Sequence, residues 1–266
     1  YRQRYDTKTF LIKRVKKTVF PYIFWSFIGI GFNICMHNLQ WNNVTIKYVI
    51  TGLVNGGSIV TTYWFFMPLY AAYLAIPLFS AVEKEKRKSV YVYISVVGFL
   101  LNVLIPFAAK FTDWVPYNPG FRLFVNMSYL FYVVVGWLLH TQEIKRKDRI
   151  VIYILAILGL FTNKTFNGYN DVPCILYAIG VFVLIKQIAP KIMDVKWIRA
   201  IVVYLNKYTF GVYLLHWSVL KAVIRLTRVN EVSLIWRLLS PIGIVAVCVA
   251  IIWVIRKIPV LKHVVP

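Results

Sequence analysis

Four polar side chains recur at helical spacing in the stretch YLNKYTFGVYLLHWSV, residues 204–219: Asn206, Thr209, Tyr213 and His216. At about 100° per residue they fall within roughly 80° of one another, with Lys207 on the opposite side, so a continuous helix would carry them as one polar stripe. Tyr213 precedes His216 by three residues, close enough for phenol and imidazole to share a hydrogen-bond network. An ionisable ring in so apolar a segment marks a functional site by default, here a proton acceptor or the wall of a channel. The plainer alternative is a buried histidine that joins two helices by hydrogen bonds, with Gly211 admitting the neighbour.

A second stretch, YWFFMPLYAAYLAIPLF at residues 63–79, sets Trp64, Tyr70 and Tyr73 beside two prolines. Pro68 and Pro77 lack an amide hydrogen, which would leave the carbonyls of Trp64 and Tyr73 without helical donors. Such carbonyls are tolerated at membrane depth where a helix lines a cavity or packs on protein, so the three aromatics are candidate channel walls; an interfacial aromatic belt is the other reading. A third stretch, KRVKKTVFPYIFW at residues 13–25, places Arg14 and Lys17 three residues apart with Lys13 beside them. Basic groups at a helix mouth either grip phosphate through charge-assisted hydrogen bonds or anchor the helix to an anionic leaflet.

Other chemistries are disfavoured. All nine carboxylates fall outside the apolar segments, against an acidic proton relay, a carboxylate metal site or a glycosidase pair. GxSxG, HExxH, P-loop and GxGxxG patterns are absent. Cys35, Cys174 and Cys248 are scattered in or beside apolar segments, as small buried hydrophobes rather than metal ligands or disulfide partners. No metal is expected.

The elements that must position these residues are membrane helices. The chain is 60% hydrophobic, 17% aromatic and 15% charged, outside the range of soluble domains. Its net charge of +22 is not a nucleic-acid footprint, because Lys and Arg sit in short clusters between apolar runs. The sequence therefore predicts an all-α, polytopic transmembrane helical bundle of about eight spans, near 19–38, 62–82, 90–109, 121–140, 150–163, 173–189, 201–223 and 238–255. Basic clusters at 13–17, 84–88, 145–149, 186–199 and 256–262 alternate with poorer loops, which puts them and both termini on the cytoplasmic side. The lipid bilayer is the first partner implied, and one domain over 1–266 is the economical reading. The opening residues carry no signal-peptide pattern and read as the start of a fragment.

Three elements together resemble acyltransferase family 3 membrane proteins: KRVKKTVFPY is similar to their basic R-x-x-R element before proline and tyrosine, YWFFMPLYAAYLAIPLF to W-F-x-x-x-L-x-x-Y-L-x-x-P, and KYTFGVYLLH to S/T-F-G-x-Y-L-x-H. The resemblance implies an integral membrane O-acyltransferase of about ten helices, lacking the first two here, in a bacterial cytoplasmic membrane. It would move an acyl group, usually acetyl and in some relatives succinyl, from cytoplasmic acyl-CoA to a hydroxyl of a surface or lipid-linked glycan. Acyl-CoA is then a donor substrate, and no permanently bound cofactor is implied. Carried over by position, Arg14 and Lys17 match the basic pair, Trp64 heads the second motif, and Tyr213 and His216 close the third. Lys17 stands where arginine is common and lacks the planar fork for bidentate phosphate binding. With the family's base expected upstream, His216 is assigned to shaping the transfer channel rather than to removing the proton itself. A glycan transporter or a non-catalytic membrane subunit are the competing classes.

Overall fold

The computed structural model describes residues 6–112, 130–163, 168, 171–259, 261, 264 and 265. Among them there is no strand. The principal helices are α1 Thr7–Cys35, α2 Ile46–Asn55, α3 Thr61–Ala81, α4 Lys84–Ala108, α5 Leu130–Thr141, α6 Arg146–Thr162, α7 Val172–Asp194, α8 Lys196–Asn206, α9 Thr209–Thr227 and α10 Leu234–Lys257. Five of these, α1, α3, α4, α7 and α10, are long and apolar enough to cross a membrane. The other three expected spans coincide with α5, α6 and α9, though residues 121–129 of the fourth lie outside the described residues. The short α2 was not expected, and the expected span at 201–223 is shared between α8 and α9.

Prolines shape the long helices. In α1 the turn Val15–Val19 widens to a π turn just before Pro21, and in α4 Leu100–Leu104 does the same just before Pro106. A proline removes one amide donor and its ring crowds the carbonyl four residues back; an extra residue in the turn relieves both. Pro68 behaves otherwise than expected. The first turn of α3, Thr61–Phe65, is a 3₁₀ turn, and Pro68 follows at the start of the α-helical part, where its missing N–H breaks little. Only Pro77 lies inside that helix.

The seventh expected span is broken. The helix ends at Asn206 and restarts at Thr209, with Lys207 and Tyr208 amides bonded back to Tyr204 and Leu205 in a tightened last turn. The Lys207 carbonyl so freed accepts from Arg256 Nη2 at 2.7 Å, and the Arg256 guanidinium lies 4.8 Å from the centre of the Tyr208 ring. A distant arginine thus compensates a break that the polar stripe conceals.

The chain divides into two compact units, Tyr1–Tyr73 with Ala200–Pro266, and Leu74–Arg199. The first is built on an aromatic core in which Phe66, Tyr63, Leu214, Cys248 and Ile252 are almost wholly buried. Gly211 lets α9 meet α10 there, since a Cβ at that position would lie 2.7 Å from Ile252 Cδ1. In the second unit α6 and α7 touch through their backbones: a Cβ on Gly180 would stand 2.2 Å from Ala156 Cβ, and one on Gly159 would stand 2.6 Å from the Pro173 carbonyl oxygen. Asp171, just before α7, is 7% exposed and takes Lys110 Nζ at 2.6 and 2.7 Å. At the far end of α7, Lys186 Nζ donates to the carbonyls of Leu139, His140 and Gln142, closing the end of α5.

Candidate active site

Within the first unit the third motif is held against the head of the second by two crossed hydrogen bonds. Tyr63 donates its hydroxyl to the Leu214 carbonyl at 2.8 Å, and Tyr213 donates to the Thr62 carbonyl. The Thr62 carbonyl belongs to the 3₁₀ turn, whereas that of Leu214 lies inside α9. Phe66, fully buried, fills the space between: its ring lies 4.7 Å from Tyr22, 5.4 Å from Tyr63, 5.7 Å from Tyr70 and 5.5 Å from Tyr213.

His216 sits half-buried one turn beyond Tyr213, ring centres 5.7 Å apart. Its Nδ1 lies 2.8 Å from the Tyr213 carbonyl and 3.3 Å from that of Val212. A carbonyl only accepts, so Nδ1 carries the hydrogen, and in the neutral ring that leaves the lone pair on Nε2. Nε2 has no hydrogen-bond partner among the described residues.

Arg14 occupies the opposite end of the same aromatic face. Its guanidinium is 5.0 Å from the centres of both the Phe10 and the Tyr73 rings, an arrangement that favours a cation. No group of the described residues accepts its N–H protons, and Nε is buried without a partner. Tyr70 bonds the Thr18 carbonyl at 3.3 Å, and Thr18 in turn donates to the Arg14 carbonyl at 2.7 Å across the widened turn. Tyr63, Phe66, Tyr70 and Tyr73 therefore run down one side of α3, roughly 15 Å at 1.5 Å per residue, from His216 to Arg14.

The structure brings together Arg14, Tyr70, Tyr73, Tyr213 and His216 and leaves others aside. Lys13 and Lys17 are exposed while Arg14 is half-buried, so the basic pair does not share one environment. Trp64, 36% exposed, points away from the buried face that Tyr63 occupies. Asn206 and Thr209 are exposed and belong to different helices, with the Thr209 hydroxyl donating to the Asn206 carbonyl at 3.0 Å. Sequence reasoning missed Tyr63 and Phe66, although the 3-4-3 spacing of Tyr63, Phe66, Tyr70 and Tyr73 was readable. Among the described residues no cluster of His, Cys, Asp or Glu could hold a metal ion.

Described residues without a strand, five helices long and apolar enough to cross a membrane, and a half-buried histidine beside an aromatic core fit a multi-pass membrane protein with a candidate transfer site. A family model described as an acyltransferase domain matches residues 1–256, and the chain belongs to that family, acyltransferase family 3. It is a membrane acyltransferase. Neither a curated protein nor a solved structure matches the chain.

Proposed function

We propose that this acyltransferase carries an acyl group, acetyl in the first instance, from cytoplasmic acyl-CoA to a hydroxyl of a cell-surface or lipid-linked glycan, in the bacterial cytoplasmic membrane with both ends of the chain inside. The observation that carries the reading is the α3 face: a guanidinium with unoccupied donors at one end, an imidazole with an open Nε2 at the other, and aromatic side chains between them. Coenzyme A joins phosphates to a thin thioester arm, so phosphate held near Arg14 leaves the arm to reach toward His216. The acceptor hydroxyl oxygen attacks the thioester carbonyl carbon; the C–O bond forms, the C–S bond breaks, and the departing sulfur takes up the proton the hydroxyl gives up. His216 Nε2 accepts a hydrogen bond from that hydroxyl and orients it, and Tyr213 holds the α9 turn that carries His216. Lys13 and Lys17 add positive potential at the donor end rather than a fitted pocket.

The test is mass analysis of the surface glycans of cells with and without the gene. A mass difference equal to one acyl group names the reaction and the donor together; identical glycans would refute the acceptor class.

A further inference from the structure

The second unit holds a polar cavity that the transfer reading does not use. It is about 370 Å³ in volume and lies where the start of α6 meets the second half of α7. Lys145, Arg149, Lys186 and Gln187 line it, with Glu143 the single acid. The Lys186 N–H groups are occupied by the carbonyls of Leu139 and His140 in α5 and of Gln142 just after it. The Arg149 side chain is half-buried and, like that of Lys145, makes no hydrogen bond or ion pair among the described residues. Gln187 Nε2 is buried with no partner. Lys145 caps α6 without a side-chain acceptor, so the first amides of that helix also lack a partner from the cap.

We infer that this cavity binds a phosphate group, with Arg149 as its bidentate donor, Lys145 and Gln187 Nε2 completing the contacts and Lys186 supplying fixed positive charge. Three cations against one acid select an anion, and an unpartnered guanidinium beside an unpartnered amide suits oxygen acceptors in a plane. Two sources present that chemistry at this face: the headgroup of an anionic phospholipid, and the nucleotide phosphates of coenzyme A. The second rests on the donor proposed above; the first does not.

The experiment uses the full chain purified in detergent. Native mass spectrometry measures retention of phosphatidylglycerol against phosphatidylcholine, and equilibrium dialysis measures binding of labelled coenzyme A. Arg149→Gln should weaken one of the two by roughly tenfold, the factor of one charge-assisted hydrogen bond, and Arg149→Lys by less. Lys147→Gln removes the same net charge from the same first turn of α6 outside the cavity and should change neither. Loss of phosphatidylglycerol selectivity assigns the cavity to a lipid headgroup, and loss of coenzyme A binding assigns it to the donor. Unchanged binding of both probes in folded Arg149→Gln, or equal losses in Lys147→Gln, overturns the site.

Discussion

His216→Gln and His216→Ala separate the roles open to this imidazole. The Nδ1 hydrogen bond runs to a carbonyl of its own helix at 2.8 Å, so losing it disturbs no contact between helices. Interhelical side-chain bonds in membranes are worth about 0.6 kcal/mol on average and below about 2 at most, and a local bond to a carbonyl already inside a helix is worth no more. Against a folding stability of about 5–15 kcal/mol, the folded population should not change. Activity should. If Nε2 orients the acceptor hydroxyl through one hydrogen bond worth about 1–1.5 kcal/mol, His216→Ala loses about tenfold in transfer rate, and His216→Gln, whose amide oxygen can accept the same bond, stays within a few-fold of wild type. If the ring removes the proton itself, both variants fall by about 10² to 10⁴. The assay is acyl transfer in membranes at matched amounts of folded protein, quantified by acceptor mass. Full activity in His216→Ala would refute any part for His216 in the site, and a shared loss of 10² or more in both variants would refute the orienting role.

Arg14→Ala should raise the acyl-CoA concentration needed for half-maximal rate, with Arg14→Lys rescuing only part because the ammonium lacks the fork held between Phe10 and Tyr73; equal donor dependence would leave Arg14 a membrane anchor. Gly180→Val, which forces a side chain into Ala156, should destabilise the protein by about 1–3 kcal/mol, read as a lower midpoint in detergent unfolding, while Gly136→Ala, with open space around it, should not. Asp171→Asn should cost about 1 kcal/mol in the same assay, discounted because Lys110 is half-exposed; an unchanged midpoint would mean the ion pair contributes nothing. Cysteine labelling in intact cells should leave positions in 13–17, 84–88, 145–149, 191–199 and 256–262 unreactive from outside, and labelling of any one would overturn the expected orientation.

The helices were legible because each apolar run of the sequence has to satisfy its own backbone in lipid, and basic clusters mark where the runs stop. The three motif stretches were legible as chemistry, since their residue types are costly in hydrocarbon. What the sequence hid depends on distant partners. The break at Lys207–Tyr208 is invisible locally because Asn206, Thr209 and Tyr213 stay in helical phase, and Arg256, which stabilises it, lies 49 residues away. Lys110 and Asp171 read as isolated loop charges until the fold closes 61 residues between them. Trp64 was preferred to Tyr63 because it stands at a motif position, whereas burial favours the neighbour that points inward.

The crossed bonds between Tyr63 and Leu214 and between Tyr213 and Thr62 each join residues 151 apart, and Trp25 Nε1 reaches the Val264 carbonyl across 239. By contrast α6 and α7 are neighbours in sequence and pack backbone to backbone. Contacts between sequence neighbours close first, and those spanning long stretches wait for the chain between them. During synthesis the α6–α7 hairpin can therefore form while α9 is still unmade, and the first strip of the site, Arg14 to Tyr73, must remain without its other half until residues beyond 200 emerge. The site is assembled last, from the two ends of the sequence. A lesion in α10, which meets α9 at Gly211, can thus lower transfer while sparing Arg14, Tyr213 and His216 themselves, by leaving the early half of the candidate site without a partner in register.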